Sequence, residues 1–318
     1  MATLTSLRQL QFLVALADRL NFTKAARDCH VTQSTLSAGL KELEQLLGVR
    51  LVERDRKSVL MTATGSEVSQ RARTLLAAAR DLTELAAAGA EPMTGTLRLG
   101  VIPTIAPFLL PRCLPVLRKR YPRLKVMLRE DVTADLLSRL ADGLLDYALI
   151  ALPYDTANLL VEPLFDDELW IVGQKQDPAM QSRQIALTPA LSNRLLLLAE
   201  GHCLREHALY ACATVDRSRA TGVEATSLLT LVQMIESGLG IGLVPEMAVR
   251  SGLTASPSLV ARSLGRNGPR RTIALAARRS MARRADFSAL AELLRGCHPL
   301  AKLPSSQLRS ARQASSKP

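Results

Sequence analysis

The apolar residues of this chain follow a helical period through most of residues 7–86, and from Thr96 onward short strand-like runs alternate with helices. That change of period rules out one continuous core. It separates a helical N-terminal part from an α/β part, and 318 residues, at roughly 100–200 per domain, accommodate both. Apolar residues make up 47% of the chain and charged residues 22%, which excludes wholesale disorder. No apolar run approaches the ~18 residues of a membrane-crossing helix. Residues 1–20 carry Arg8, Asp18 and Arg19 on an amphipathic pattern unlike a signal peptide. A cytoplasmic protein without membrane contact is expected.

Within residues 5–18, Leu7, Leu10, Val14 and Ala17 recur at helical spacing. Asn21 is a good N-cap for a short helix carrying Phe22, Ala25 and Ala26, and Cys29-His30-Val31 ends it. Thr32 can cap a third helix from Gln33 to about Leu47. Leu36, Leu40, Leu43 and Leu47 form its apolar stripe; Ser34, Ser37, Ala38 and Lys41 form another, led by Gln33. This is a helix-turn-helix pattern, in which the second helix presents polar side chains to base edges in the major groove. Residues 49–62 then read as a two-stranded wing whose charged tip offers Arg54, Arg56 and Lys57 to phosphates. The other reading of residues 1–62 is a small helical bundle with solvated polar faces.

The net charge of +12 does not itself argue for nucleic acid, because residues 262–318 hold 13 Lys and Arg against 2 Asp and Glu. That excess reads as a solvated basic face and tail. Aromatics at 3% argue against a protein that stacks single-stranded bases. Along residues 65–89, Val68, Ala72, Leu75, Ala79 and Leu82 alternate by four and three, the spacing of a coiled-coil seam, so a dimer is expected. Two reading heads on one two-fold axis suit double-stranded DNA with an inverted-repeat operator.

From Thr96 the order is strand (Thr96–Val101), helix (Pro107–Arg120), strand (Lys125–Glu130), helix (Thr133–Asp142) and strand (Tyr147–Leu152). It resumes with strands at Leu169–Gly173 and Leu195–Leu198, a helix near Cys203, a helix at Ser227–Ser237 and a strand at Ile241–Val244. A strand at Arg271–Ala277 and a helix at Ala285–Arg295 close it. Such alternation predicts a mostly parallel sheet in two lobes, with a ligand beyond the carboxyl ends of strands, where Thr104 and the loop before Cys203 lie.

Five cysteines, at 29, 113, 203, 212 and 297, contain no CxxC pair, and His30, His207 and His298 show no metal-ligand spacing. No metal and no cofactor are expected. Cys29, Cys113 and Cys297 read as buried small hydrophobes without a redox role. Cys203 and Cys212 are nine residues apart. On one regular helix they stand about 13.5 Å apart along the axis, whereas a disulfide needs Cα atoms within about 4.4–6.8 Å. A bond between them must therefore rebuild the segment. His202 and Arg205 lie close in sequence to Cys203, and a cation and a helix N-terminus both favour thiolate. The residues alone leave two readings open: a peroxide-reactive pair, attacked first at Cys203, or two ordinary buried thiols.

Several runs resemble the LysR-type transcriptional regulators: Leu10 to Ala17, Phe22 to Ala26, Val31 to Ser37, Leu43-Glu44, Leu47 to Leu51 and Thr62 to Gly65. The resemblance implies a winged helix-turn-helix with Gln33, Ser34, Thr35 and Ser37 at the DNA face, a linker helix, and a two-lobed regulatory domain like periplasmic binding proteins. It also implies a tetramer and contact with RNA polymerase. Gly201 to Arg205 with Cys212, Ile102-Pro103-Thr104, Leu109 to Pro111 and Ala225 to Leu228 look like the OxyR branch of that family, which senses hydrogen peroxide. That likeness implies Cys203 as the peroxide-reactive thiol, Cys212 as the resolving thiol, and Thr104 and His202 in the peroxide pocket. Thr133 and Arg205 are further pocket candidates, and Glu224 stands where a basic residue is expected.

The expected division is a DNA-binding domain at 1–62 and a linker and dimerisation helix at 63–92. One regulatory lobe takes 93–167 and 268–303, the second takes 168–267, and a basic tail takes 304–318. The expected function is a DNA-binding regulator, mostly an activator, that forms a Cys203–Cys212 disulfide with peroxide and controls oxidative-stress genes. The alternative is a regulator answering a small organic effector between the lobes. A thiol peroxidase is disfavoured, because an enzyme needs neither the reader nor the seam.

Overall fold

The structure is a computed structural model that describes residues 4–54, 59–87, 92–156, 158–182, 185, 187–211 and 224–298. The chain divides into two compact units: Met1–Ala90 with Arg139–Leu144 and Ser280–Ala282, and Glu91–Ser138, Leu145–Arg279 and Arg283–Pro318.

In the first unit, α1 (Leu7–Arg19), α2 (Phe22–Asp28) and α3 (Gln33–Leu47) precede β1 (Val52–Arg54), β2 (Val59–Met61) and the long α4 (Ala63–Ala87). Each of the first three helices starts where a side chain satisfies its free amides. Ser6 and Gln9 form a reciprocal capping box on α1, Asn21 accepts from Lys24 N at 3.0 Å, and Thr32 accepts from Thr35 N at 3.2 Å. Phe12, Leu13, Leu16, Ala25, Ala26, Leu36, Leu40, Leu43 and Leu51 close one core. Each large side chain buried there contributes roughly 1.5–3 kcal/mol. Leu47, expected in that stripe, is exposed, because it is the last residue before the Gly48 cap and the core beneath α3 has ended. Cys29, expected in the core, is only half-buried at the end of α2.

The wing is tied back to α3 by Glu44, whose carboxylate accepts the amides of Leu51 (2.8 Å) and Val52 (3.1 Å). At the start of α4, a Cβ on Gly65 would lie 1.9 Å from the Leu51 carbonyl oxygen, so only glycine fits that approach. Arg73 on α4 bonds Asp18 on α1, and Ala72 and Leu76 pack with Leu10.

The second unit contains β3 (Gly95–Val101), α5 (Ala106–Arg120), β4 (Leu124–Glu130), α6 (Thr133–Ala141), β5 (Tyr147–Leu152) and β6 (Leu159–Gln174). There follow α7 (Pro189–Ser192), β7 (Leu197–Leu198), α8 (Cys203–Ala211), β8 (Glu224–Ala225), α9 (Leu228–Glu236), β9 (Gly242–Pro245), α10 (Glu246–Arg250), β10 (Leu259–Arg262), β11 (Arg270–Arg278) and α11 (Arg284–Gly296). Strand order is β10-β6-β11-β5-β3-β4, with β9 also on β6. The sixteen residues of β6 make the two lobes. Leu159–Glu168 pairs with β11 in the first lobe, while Leu169–Gln174 pairs with β9 and β10 in the second. The expected lobe boundary at 167/168 therefore falls inside one strand.

The sheet is mixed rather than mostly parallel. β3 runs parallel to β4 and β5, but β11 is antiparallel to both β5 and β6, and β9 and β10 are antiparallel to β6. β11 enters between β5 and β6 from a loop with no helix before it, rather than by a helical crossover from a neighbouring strand. The early half of β6 escaped the sequence reading because Pro163 and the acidic run Asp166-Asp167-Glu168 break its apolar pattern.

Candidate functional site

On α3, Gln33, Ser34, Thr35 and Lys41 are exposed and Ser37 is half-buried. The Thr32 hydroxyl bonds both Ser34 Oγ (2.9 Å) and Thr35 Oγ1 (2.8 Å), while Thr23 Oγ1 on α2 donates to Gln33 Oε1 at 3.1 Å. The leading amide side chain is thus oriented from the preceding helix, a role for Thr23 that spacing alone does not signal. Arg56 and Lys57 lie outside the described residues, as does the side chain of Arg54.

The seam expected on α4 divides in two. Ala72 is buried against α1 of its own chain and is not available to a partner, while Val68 is half-buried and packs partly onto the helix-turn-helix core. The first turns of α4 cover the apolar face of their own domain, which the spacing could not distinguish from a second chain. Leu75 and Leu82 are 55% and 67% exposed, and Ala79 is half-buried.

In the second unit, Gly201 turns the chain at φ +89°, a conformation that favours glycine, and delivers His202 and Cys203 to the start of α8. Ile102, Pro103 and Thr104 after β3, Val132 and Thr133 at the start of α6, and Gly201, His202 and Cys203 line one narrow seam. No water-sized sphere fits in it as it stands. Cys203 is a free thiol, 6% exposed. Burial pushes its pKa up; the Arg271 charge, the Thr133 hydroxyl and the amides of Leu204 and Cys203 pull the other way. The thiol is therefore protonated in the closed seam, against the thiolate that its position at a helix start suggests.

The cation that acts on it is not one the sequence pointed to. Burial keeps His202 below the ordinary histidine range, and its ring bonds the Thr226 carbonyl. Arg205 turns away from the seam, donating to the Leu198 carbonyl (3.0 Å) and to Glu224 (2.6 Å). Arg205 is thus not a lining residue. Glu224 neutralises it rather than perturbing the thiol.

The acting cation is Arg271 of β11, 1% exposed. It stands in register with Asp167 of β6 and donates to it twice, at 3.1 and 3.0 Å. Its other donors hold Thr104, through Oγ1 at 2.7 Å and through the carbonyl at 3.0 Å. Because Thr104 Oγ1 accepts from Arg271, its own proton is left to donate. Thr133 Oγ1 is buried with no hydrogen bond of ordinary geometry. The seam therefore offers one hydroxyl donor, one hydroxyl of either sense and a guanidinium charge beside a thiol.

Residues 7–66 match the bacterial regulatory helix-turn-helix protein model of the lysR family, and residues 90–297 match the LysR substrate binding domain. The chain belongs to the LysR family. It is 44% identical over 296 residues to the HTH-type transcriptional regulator EstR of Acinetobacter baylyi, covering 93% of this chain and 98% of that one. It is 37% identical to the hydrogen peroxide-inducible genes activator of Dickeya chrysanthemi, over 91% and 95% of the two chains. Among solved structures, a full-length OxyR variant from Pseudomonas aeruginosa superimposes with a TM-score of 0.79 at 36% identity, over 93% of this chain and 97% of that one. As a LysR-family member the protein is a DNA-binding transcriptional regulator rather than an enzyme, and the α/β unit behind its reader is the regulatory domain. No helix among the described residues is long and apolar enough to cross a membrane.

Proposed function

We propose that this LysR-family regulator senses hydrogen peroxide through Cys203 and signals by a Cys203–Cys212 disulfide, acting in the cytoplasm as a dimer or tetramer on inverted-repeat DNA. The observation that carries the reading is the seam itself. It is tight and centred on a buried thiol, it brings Thr104, Thr133 and His202 to that thiol, and it leaves no room for an organic effector. The Cys203 sulfur attacks one peroxide oxygen, the O–O bond breaks, and hydroxide takes up the thiol's proton and leaves as water. The resulting sulfenic acid condenses with the Cys212 thiol, forming the S–S bond and releasing a second water. Thr104 donates to the peroxide, and Arg271 stabilises the developing thiolate.

The step has a geometric consequence. Cys212 lies outside the described residues, but α8 is helical from Cys203 to Ala211, which separates their Cα atoms by about 12 Å. One further peptide spans only about 3.8 Å. Cys203 and Cys212 therefore stay more than about 8 Å apart while α8 is whole, beyond the disulfide limit of about 6.8 Å. Oxidation must dismantle at least part of α8, which turns a local reaction into a change of shape. Activation of transcription through contact with RNA polymerase at oxidative-stress genes belongs to the same proposal.

Peptide mapping of the full chain after a peroxide titration tests it. A reductant-sensitive peptide joining Cys203 to Cys212, with loss of helical signal, is expected. Cys203 remaining reduced while other thiols oxidise rejects it. A second reading is favoured by the 44% identity to a regulator whose name carries no peroxide, and by a separate cavity of about 500 Å³ beside His207, Leu264 and Arg270. On that reading a small organic molecule is the signal, and Cys203→Ser leaves the transcriptional response intact.

A further inference from the structure

The cysteines outside the seam read as inert in the sequence, but two of them meet. Cys113 lies on α5 and Cys297 is the residue that caps α11. Both are almost wholly buried where α5 packs on α11, and the two thiols face each other closely enough to interact. Arg112, next to Cys113, reaches across to the other backbone: its Nε donates to the Cys297 carbonyl at 3.2 Å and its Nη2 to the His298 carbonyl at 3.5 Å. These bonds fix the two chain segments side by side.

The pair is also asymmetric. The interaction with Cys113 pulls Cys297 below the ordinary thiol range, and the Arg112 charge adds to it against burial. The same interaction, with burial, pushes Cys113 up. Of the two, Cys297 is the one whose surroundings favour the deprotonated form, which makes it the nucleophile and Cys113 the resolving thiol.

We propose that Cys113 and Cys297 form a second redox-active pair, which hydroperoxides oxidise to a disulfide that pins the end of α11 to α5. The Cys297 sulfur attacks a peroxide oxygen, the O–O bond breaks, and the departing hydroxide takes the proton that Cys297 gave up. Cys113 then displaces water from the sulfenic acid. The two sulfurs lose two electrons, and one peroxide becomes two waters. No helix has to come apart, since the two residues lie on packed elements that Arg112 already ties together. The bond closes in place and stabilises the first lobe without the rearrangement that α8 requires. Burial makes this oxidation slower than that of a thiol at an open pocket.

The experiment uses the full-length Cys203→Ser variant, so the outcome is independent of the peroxide-sensing proposal. The protein is treated with excess hydrogen peroxide and, separately, with diamide, then alkylated in denaturant and mapped. A peptide joining Cys113 to Cys297 is expected, with a reductant-reversible rise in Tm of about 5 °C. Adding Cys113→Ala should abolish both. If that variant does not fold, mapping of the Cys203→Ser protein still decides. Recovery of Cys113 and Cys297 as separate alkylated peptides, under conditions that oxidise the half-exposed Cys29, overturns the proposal.

Discussion

Replacing Arg271 with methionine tests the electrostatics of the seam without touching the thiol. The substitution keeps an unbranched apolar stem and removes four hydrogen bonds, two to Asp167 and two to Thr104. Asp167 is left buried with one donor, the Met247 amide at 3.0 Å. Breaking a buried pair in this way costs about 3–5 kcal/mol, because the surviving charge is stranded. For a regulatory domain of this size the loss lowers Tm by about 6–20 °C.

The pH dependence has a definite sign. Burial already holds the Asp167 carboxyl above the ordinary range, with Arg271 the main opposing influence. Losing Arg271 raises it further. A carboxyl raised in the folded state binds a proton more readily folded than unfolded. Its protonated form is tolerated at low pH, and stability falls as the pH climbs through the raised value. Arg271→Met is therefore less destabilised at pH 5 than at pH 8. Trp170, the only tryptophan and three residues from Asp167 on β6, reports urea unfolding at both pH values. Adding Asp167→Leu should restore stability to within about 2 kcal/mol of the parent and remove the pH dependence, since an apolar pair can replace a buried ion pair. Equal destabilisation at both pH values, or no rescue by the second change, refutes the argument.

Thr133→Val deletes the buried hydroxyl that acts on the Cys203 thiol, so thermal unfolding should shift by only about 1 kcal/mol, while the rate of Cys203 oxidation, followed by timed alkylation, falls roughly tenfold. Glu44→Ala removes the acceptor of two wing amides and should cost the DNA-binding unit about 2–3 kcal/mol in denaturant melts. Leu75→Lys with Leu82→Lys, on the exposed side of α4, should shift sedimentation toward the monomer. Ala72→Leu overpacks the α1 contact instead, costing about 1–3 kcal/mol with the subunit number unchanged. Gln33→Ala should weaken operator binding more than binding to random DNA in salt-matched titrations, with Thr23→Val a smaller copy of that effect.

The reader was legible because its signals are local. Asn21 and Thr32 cap the helices they immediately precede, and the Leu36, Leu40 and Leu43 stripe needs no knowledge of the rest of the chain. Thr104, Thr133, His202 and Cys203 were each named from the sequence, through strand ends and resemblance, and the fold gathers them at one seam. Arg271 and Asp167 were not, because their partnership is a register between strands about a hundred residues apart, and charged runs in a sequence read as solvent-facing. Arg205 was misassigned for the opposite reason. Two residues along a helix is just over half a turn, so nearness in sequence to Cys203 put it on another side.

Burial of Cys203 links the chemistry to the conformational change. The seam that raises the thiol's pKa is built from both lobes, Thr104 and Thr133 on one and Cys203 at the head of α8 on the other. On the proposed function, opening it admits peroxide, relieves the desolvation that keeps the thiol protonated, and takes away contacts at the first turn of α8. Reactivity and the capacity to rearrange thus rise together, and neither is available in the closed state. A variant that opens the seam without altering Cys203, such as Val132→Gly, must speed both oxidation and hydrogen exchange in α8. Faster oxidation with α8 exchange unchanged separates the two and breaks the link.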